Sequence, residues 1–324
     1  MTTETWHLLG DIGGTNARFG INRGSQGDYQ SVANYKVADY PDFSDVLRHL
    51  MQDIKRLGLA QGVPTAACFA VAGPPHYETV SFTNSSWHFT RDTIRQETGV
   101  EKVHIIGDFA AVARALPAIS DSELVQIGGG HRNDAAPKVA LGAGTGLGVG
   151  ALLHNTGQTP IVVTGEGGHV DFAPVTDVEA AVLQYLRSRY GRVSIERLCC
   201  GDGIVNVYQA LADYRGLTPQ LAGAADIGRA AQSETDPLAR EAMAMFFAVL
   251  GASAGNFALT FGALGGVYIA GGIVPRYLDL LRRSDFRARF LAKGRFADYL
   301  SAIPTYVITH EATGLLGAAL TLHD

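Results

Sequence analysis

Asp108 stands where an apolar run ends in Ile105, Ile106 and Gly107 and an alanine-rich run begins. In open α/β sheets ligands bind outside the carboxyl ends of strands, and this Asp occupies such an end. A carboxylate there can orient a substrate hydroxyl and take its proton late, while a γ-phosphoryl group transfers in line. It can also cap the helix that follows, and the two roles are compatible. Asp11 lies within LLGDIGGTNARFGI, Leu8 to Ile21, where a turn built from glycine offers backbone N–H groups to a polyanion. An acid beside bound phosphate repels it unless a cation intervenes, so Asp11 is either a partner of Mg²⁺, through water, or a side chain that braces its own turn. Gly165 to Asp171 reads GEGGHVD and gathers Glu166, His169 and Asp171 on one glycine-supported loop. Carboxylates and an imidazole suit the vicinal hydroxyls of a polyol. A structural polar turn is the bland alternative, and zinc lacks a further His or Cys at ligand spacing. Glu196, in Ser194 to Leu198, reads by itself as an acid on a helix surface.

These residues need elements to hold them. Residues 8–12 and 16–21 read as strands around a glycine turn with Thr15, and 31–37 adds a third strand. Apolar Phe43, Val46, Leu47, Leu50, Ile54 and Leu57 recur at helical spacing after Pro41 and Asp42. Residues 65–71 and 103–106 read as buried strands, 91–98 and 109–116 as helices. The order then restarts: 139–141 and 149–153 flank a second glycine turn with Thr145, about 130 residues beyond the first, and 161–164 follows. Helices are expected over 177–190 and 237–261, a buried strand over 267–270, and a last helix over 314–322. Such a repeat predicts an α/β fold of two similar lobes with a ligand cleft between them. The boundaries fall at 1–118 plus 311–324 for a small lobe and 119–310 for a large one. Neither glycine turn is a Walker loop, because the dipeptide Gly-Lys is absent. Gly146, Gly148 and Ala151 fit a dinucleotide fingerprint, but that fingerprint must open a helix and these residues read as a strand.

The chain has 324 residues, 47% hydrophobic and 18% charged, with a formal net charge of -5. Those values fit a soluble two-domain enzyme and argue against nucleic acid as the main partner. Cys68, Cys199 and Cys200 have no zinc spacing and are expected to be reduced thiols, as in a cytoplasmic protein. No signal peptide is read at the start, and no uninterrupted apolar run of about 18 residues suggests a membrane span. Residues 246–272 come closest, broken by Gly251, Ser253, Gly255 and Asn256.

Taken together, the chain resembles the bacterial glucokinase family of the hexokinase and actin-like ATPase superfamily. The resemblance rests on eight ordered motifs. They are GDIGGTNAR at 10–18, AGP at 72–74, TNxxW at 83–87, GDFxAV at 107–112, GAGTGLG at 142–148, GEGGHVDFAP at 165–174, SxER at 194–197 and IAGGIVPR at 269–276. It implies two actin-like, ribonuclease H-like lobes with mixed sheets, and ATP-dependent phosphorylation of glucose at O6 with Mg²⁺. It implies Asp108 as catalytic base, with Glu166, His169, Glu196, Gly107 and Asn84 on the sugar. ATP is assigned to Gly10, Asp11, Ile12, Gly13, Gly14 and Thr15, to Gly144, Thr145 and Gly146, and to the adenosine-side Gly271 and Gly272. Family members are commonly homodimers. The residue before the catalytic Asp is often an Asn that contacts the sugar, whereas Gly107 stands here; weaker glucose binding, or water in that place, is the expectation. A kinase for mannose, fructose or an amino sugar, polyphosphate as donor, and a non-catalytic sugar sensor on the same fold remain open alternatives. The cysteine-rich zinc motif of the related repressor–kinase family is absent.

Overall fold

The structure is a computed structural model and describes residues 5–24, 26–73, 75, 77–82 and 85–323. It divides into two compact units, Met1–Ile119 with His310–Asp324, and Ser120–Thr309.

The first unit carries β1 (His7–Ile12), β2 (Asn16–Asn22), β3 (Gln30–Lys36), β4 (Ala66–Val71), β5 (Thr79–Ser81), β6 (His88–Thr90) and β7 (Lys102–Gly107). Five of them form one sheet in the order β3-β2-β1-β4-β7, and β5 pairs with β6 apart from it. β1, β2 and β3 are antiparallel, while β4 and β7 join β1 in parallel. All six residues of β4 are buried, as a strand covered on both faces requires. Helix α1 (Phe43–Arg56) starts where the Asp42 carboxylate accepts the Asp45 N–H, and it buries Phe43, Val46, Leu47, Leu50 and Ile54. Leu57, expected on that apolar stripe, falls just past the helix and is exposed. α2 (Arg91–Thr98) leads to β7, and β7 runs directly into α3 (Asp108–Ala115). The last helix of the chain, Thr313–Thr321, returns to this unit and packs on α3 and the β1–β4 face.

The second unit carries β8 (Leu124–Gly128), β9 (Lys138–Ala143), β10 (Leu147–Leu153), β11 (Ile161–Gly165), β12 (Val267–Ala270) and β13 (Thr305–Ile308), in the sheet order β11-β10-β9-β12-β13-β8. Its first five members repeat the pairing of the other sheet, three antiparallel strands followed by two parallel ones, and β8 adds an antiparallel edge. β8 and β13 have no counterpart in the sequence reading. β8 carries Gln126 in its middle and β13 opens on Thr305, so neither shows the continuous apolar run that marks the equally short β12. Helices α4 (Asp177–Tyr190), α5 (Gly201–Arg215), α6 (Ala224–Gln232) and α7 (Pro237–Phe261) cover this sheet's core. α5 and α6 also went unread, because Gly201, Gly203 and Gly228 weaken helix preference and packing decides instead. α7 begins at Asp236, whose carboxylate accepts the N–H groups of Leu238 and Ala239, with Pro237 in the first turn. Among the described residues it is the one helix long and apolar enough to cross a membrane, and most of its residues are buried within the unit. The apolar stretch 246–272 is therefore the end of a core helix, a turn and β12.

Candidate active site

In the first unit the glycine turn joins β1 to β2, and the Gly13 N–H closes it on the Asn16 carbonyl at 2.9 Å. Gly10, Asp11 and Ile12 belong to β1, and Gly13, Gly14 and Thr15 to the turn. The hairpin register sets Asp11 directly opposite Arg18, whose guanidinium donates to the carboxylate at 3.4 Å. The Asp11 side chain is only 18% exposed, and burial raises its pKa above the ordinary carboxylate value against the pull of Arg18. A cation beside it would relieve that penalty, so this carboxylate suits a hydrated Mg²⁺. The strand register places Ile12 beside Val71 and Val71 beside Gly107. Asp108 therefore stands along the same carboxyl edge as the glycine turn, two strand spacings or about 10 Å away. Asp108 is the first residue of α3, not its cap: Gly107 holds the cap position, and Asp108 Oδ1 accepts the Phe109 N–H at 2.8 Å. A carboxylate in a first helical turn is favoured by the exposed N–H groups of the helix end. Asn84 lies outside the described residues.

The second unit gathers its own set around the turn between β9 and β10. The Gly144 N–H closes that turn on the Gly146 carbonyl at 2.9 Å, and the Gly144 carbonyl accepts the Gly201 N–H at 2.9 Å. Thr145, at the tip, is exposed. Gly271 and Gly272 follow β12, parallel to β9, at the same carboxyl edge. Gly271 has a φ of 87°, and a Cβ there would lie 2.4 Å from the Ala143 carbonyl oxygen, so this backbone approach needs glycine. Glu166 precedes a short turn, Gly167–His169, in which the His169 N–H returns to the Glu166 carbonyl at 3.0 Å. Glu196 sits in a second short turn, Ile195–Arg197. Its Oε2 accepts the Leu147 N–H at 2.8 Å, and its Oε1 lies 4.0 Å from His169 Nε2. Glu196 is thus a held carboxylate beside the glycine turn rather than an acid on a helix surface. Arg192 ties the loop down, donating to the His169 carbonyl and pairing with Asp171 at 2.8 Å.

Against known proteins, the glucokinase family model matches residues 8–324. The chain belongs to the glucokinase family. It is 44% identical over 323 residues to the glucokinase of Marinobacter nauticus, covering 99% of this chain and 98% of that one. It is 39% identical over 325 residues to the glucokinase of Hahella chejuensis, covering 100% and 99%. The crystal structure of a glucokinase from an Antarctic psychrotroph superposes with a TM-score of 0.83 at 34% identity, covering 98% of each chain. The repeated sheets of the two units are the actin-like arrangement of this family's fold.

Three site neighbours escaped the sequence reading. Arg18 follows from the turn once Gly13 is paired with Asn16 around Gly14 and Thr15, which sets it opposite Asp11; a three-residue turn over 13–15 would have put Ala17 there. The Leu147 amide and Arg192 do not follow in this way, because their partners lie 49 and 23 residues away. Among the described residues no three His, Cys, Asp or Glu side chains gather as a metal site. All three thiols are free and buried, and burial pushes Cys68 up to about 12 and Cys200 up to about 11, which makes them poor nucleophiles.

Proposed function

We propose that this glucokinase-family chain transfers the γ-phosphoryl group of ATP to O6 of glucose, giving glucose 6-phosphate and ADP. The family match over residues 8–324 carries this reading. Asp108, at the carboxyl edge of β7, orients the O6 hydroxyl and accepts its proton as the phosphoryl group arrives. Glu166, His169 and Glu196 bind sugar hydroxyls with their carboxylates and imidazole, with Gly107 and Asn84 on the same substrate. The end of β1 from Gly10 to Ile12 with its turn from Gly13 to Thr15, and the turn from Gly144 to Gly146, take the ATP phosphates, the two turns offering backbone N–H groups, and Gly271 and Gly272 take the adenosine side. Mg²⁺, held through water by Asp11, would screen the phosphate charge. We also propose a homodimer working in the cytoplasm, where three buried thiols stay reduced.

A coupled assay of the purified protein tests the reading across glucose, mannose, fructose and glucosamine, with ATP and polyphosphate as donors. The highest kcat/KM is expected for glucose with ATP, dependent on Mg²⁺. A higher value for another hexose would move the assignment to that sugar, and no turnover with any pair would leave a sugar-binding protein. Light scattering gives the assembly directly, against a chain mass of 34.3 kDa.

A further inference from the structure

The second glycine turn does more than face a nucleotide. Its Leu147 N–H, which a phosphate-binding turn would present to an anion, is already given to Glu196 Oε2 at 2.8 Å. Gly146 makes that contact possible, since a Cβ there would lie 2.6 Å from the same oxygen. Gly146 does not adopt the left-handed backbone that favours glycine, so an Ala there meets the carboxylate and no backbone strain. Two further bonds seat the stretch around Glu196: the Gly144 carbonyl accepts the Gly201 N–H, joining it to the glycine turn, and the Ile195 N–H goes to the Val170 carbonyl at 2.9 Å, joining it to the loop that carries His169. The bond to Leu147 fixes one oxygen of Glu196 and leaves Oε1 on the His169 side.

We infer that Gly146 and the Leu147 amide are positioning groups for sugar recognition: the turn holds Glu196 by one carboxylate oxygen and presents the other to the substrate. The inference rests on the sugar-site reading of Glu196 given above. It divides the turn by function, with the N–H groups of Thr145 and Gly146 left for phosphate and the Leu147 amide committed to the sugar. A carboxylate held by a preformed N–H loses less freedom when a hydroxyl binds it, which favours affinity through pre-organisation.

The test is a double-mutant cycle on the full chain. Gly146→Ala keeps its own backbone N–H but strikes the carboxylate, so it is expected to raise the glucose KM about tenfold or more, by a clearly larger factor than the ATP KM. In a Glu196→Ala background the same substitution should add nothing, because the oxygen it strikes is gone. Additive effects on the glucose KM, or an effect of Gly146→Ala confined to the ATP KM, would overturn the proposal and return Gly146 to the nucleotide alone. If Glu196→Ala itself leaves the glucose KM unchanged, the sugar-site reading of Glu196 fails and the proposal falls with it. Should Gly146→Ala not fold, the Leu147 amide proton answers independently in the otherwise native chain. Its resonance should move upfield in Glu196→Ala and shift on glucose binding in the parent; an amide indifferent to both sinks the proposal.

Discussion

Asp108 and Asp11 are both carboxylates at one strand edge, yet their surroundings assign them different work. Asp108 opens a helix and is partly accessible, the setting of a group that must meet a substrate hydroxyl. Asp108→Asn should therefore leave glucose binding nearly intact while kcat falls by about 10²–10⁴, the usual weight of a general base. Binding titrations beside steady-state kinetics check this, and a variant within about tenfold of the parent kcat would remove the base assignment. Asp11 is instead buried enough that its ionised form is disfavoured. Its folded pKa lies above its unfolded value, so ionisation costs stability. The favourable contribution is full below the unfolded value and is lost as pH rises through the folded one. Asp11→Asn should then gain stability relative to the parent on going from about pH 3.5 to pH 7, even as Mg²⁺-dependent turnover collapses. Denaturant titrations of both proteins at the two pH values test the sign; a relative loss at pH 7 would contradict it. Gly107 offers a third probe. Its backbone is ordinary extended chain, and a Cβ would meet nothing nearer than Ala110 Cβ at 3.9 Å. An Asn fits without strain, and Gly107→Asn should lower the glucose KM by about 2- to 10-fold for each hydrogen bond its amide makes. An unchanged or higher KM would show that the amide finds no sugar hydroxyl.

The elements that carry these residues were legible in unequal degree. Both glycine hairpins, β4, α1 and α7 announce themselves by period, caps and turn chemistry, and the edge position of Asp108 follows from a buried strand running into an alanine-rich helix. What stayed hidden is set by packing between segments far apart in the chain. Glu196 reads as a surface acid until Leu147 is found donating to it. The placement of Asp11 depends in turn on a helix at the other end of the chain. The last helix begins at Thr313, and a Cβ on Gly314 would lie 2.5 Å from Asp11 Cγ and under 3 Å from both its oxygens. In a helix interior Ala is preferred over Gly by about 1 kcal/mol, so Gly314→Ala by itself should help the helix. The clash with Asp11 works the other way. Kinetics should show kcat/KM for ATP down by about 10- to 100-fold, the cost of displacing a positioned group by about an ångström. A fully active Gly314→Ala variant would mean that the exact seat of the Asp11 carboxylate does not matter.

At the scale of the whole chain, the two units differ in how they are assembled from sequence. The second is contiguous, Ser120–Thr309, and its core draws on that segment alone. The first needs both ends: Leu9 and Cys68 from its strands share a cluster with Leu315, Ala318 and Ala319 from the last helix. Closing so long a loop carries an entropic cost that grows only slowly with length, so the arrangement is affordable provided the final contact is tight. It is tight at one place in particular. Gly317 meets α3 so closely that a Cβ would fall 2.0 Å from the Ala111 carbonyl oxygen, and backbone cannot give way as a flexible side chain does. The helix that starts with Asp108 is thus seated by a residue more than 200 positions away. Gly317→Ala should cost on the order of 1–3 kcal/mol or more by overpacking. That loss should be confined to one unit. Hydrogen exchange read by mass spectrometry should show lower protection in β1, β4, α3 and the last helix, with α7 and β9 at parental protection. Equal loss in both units would mean that they unfold as one cooperative body, and that the seating of α3 is a property of the whole chain rather than of the unit the last helix completes.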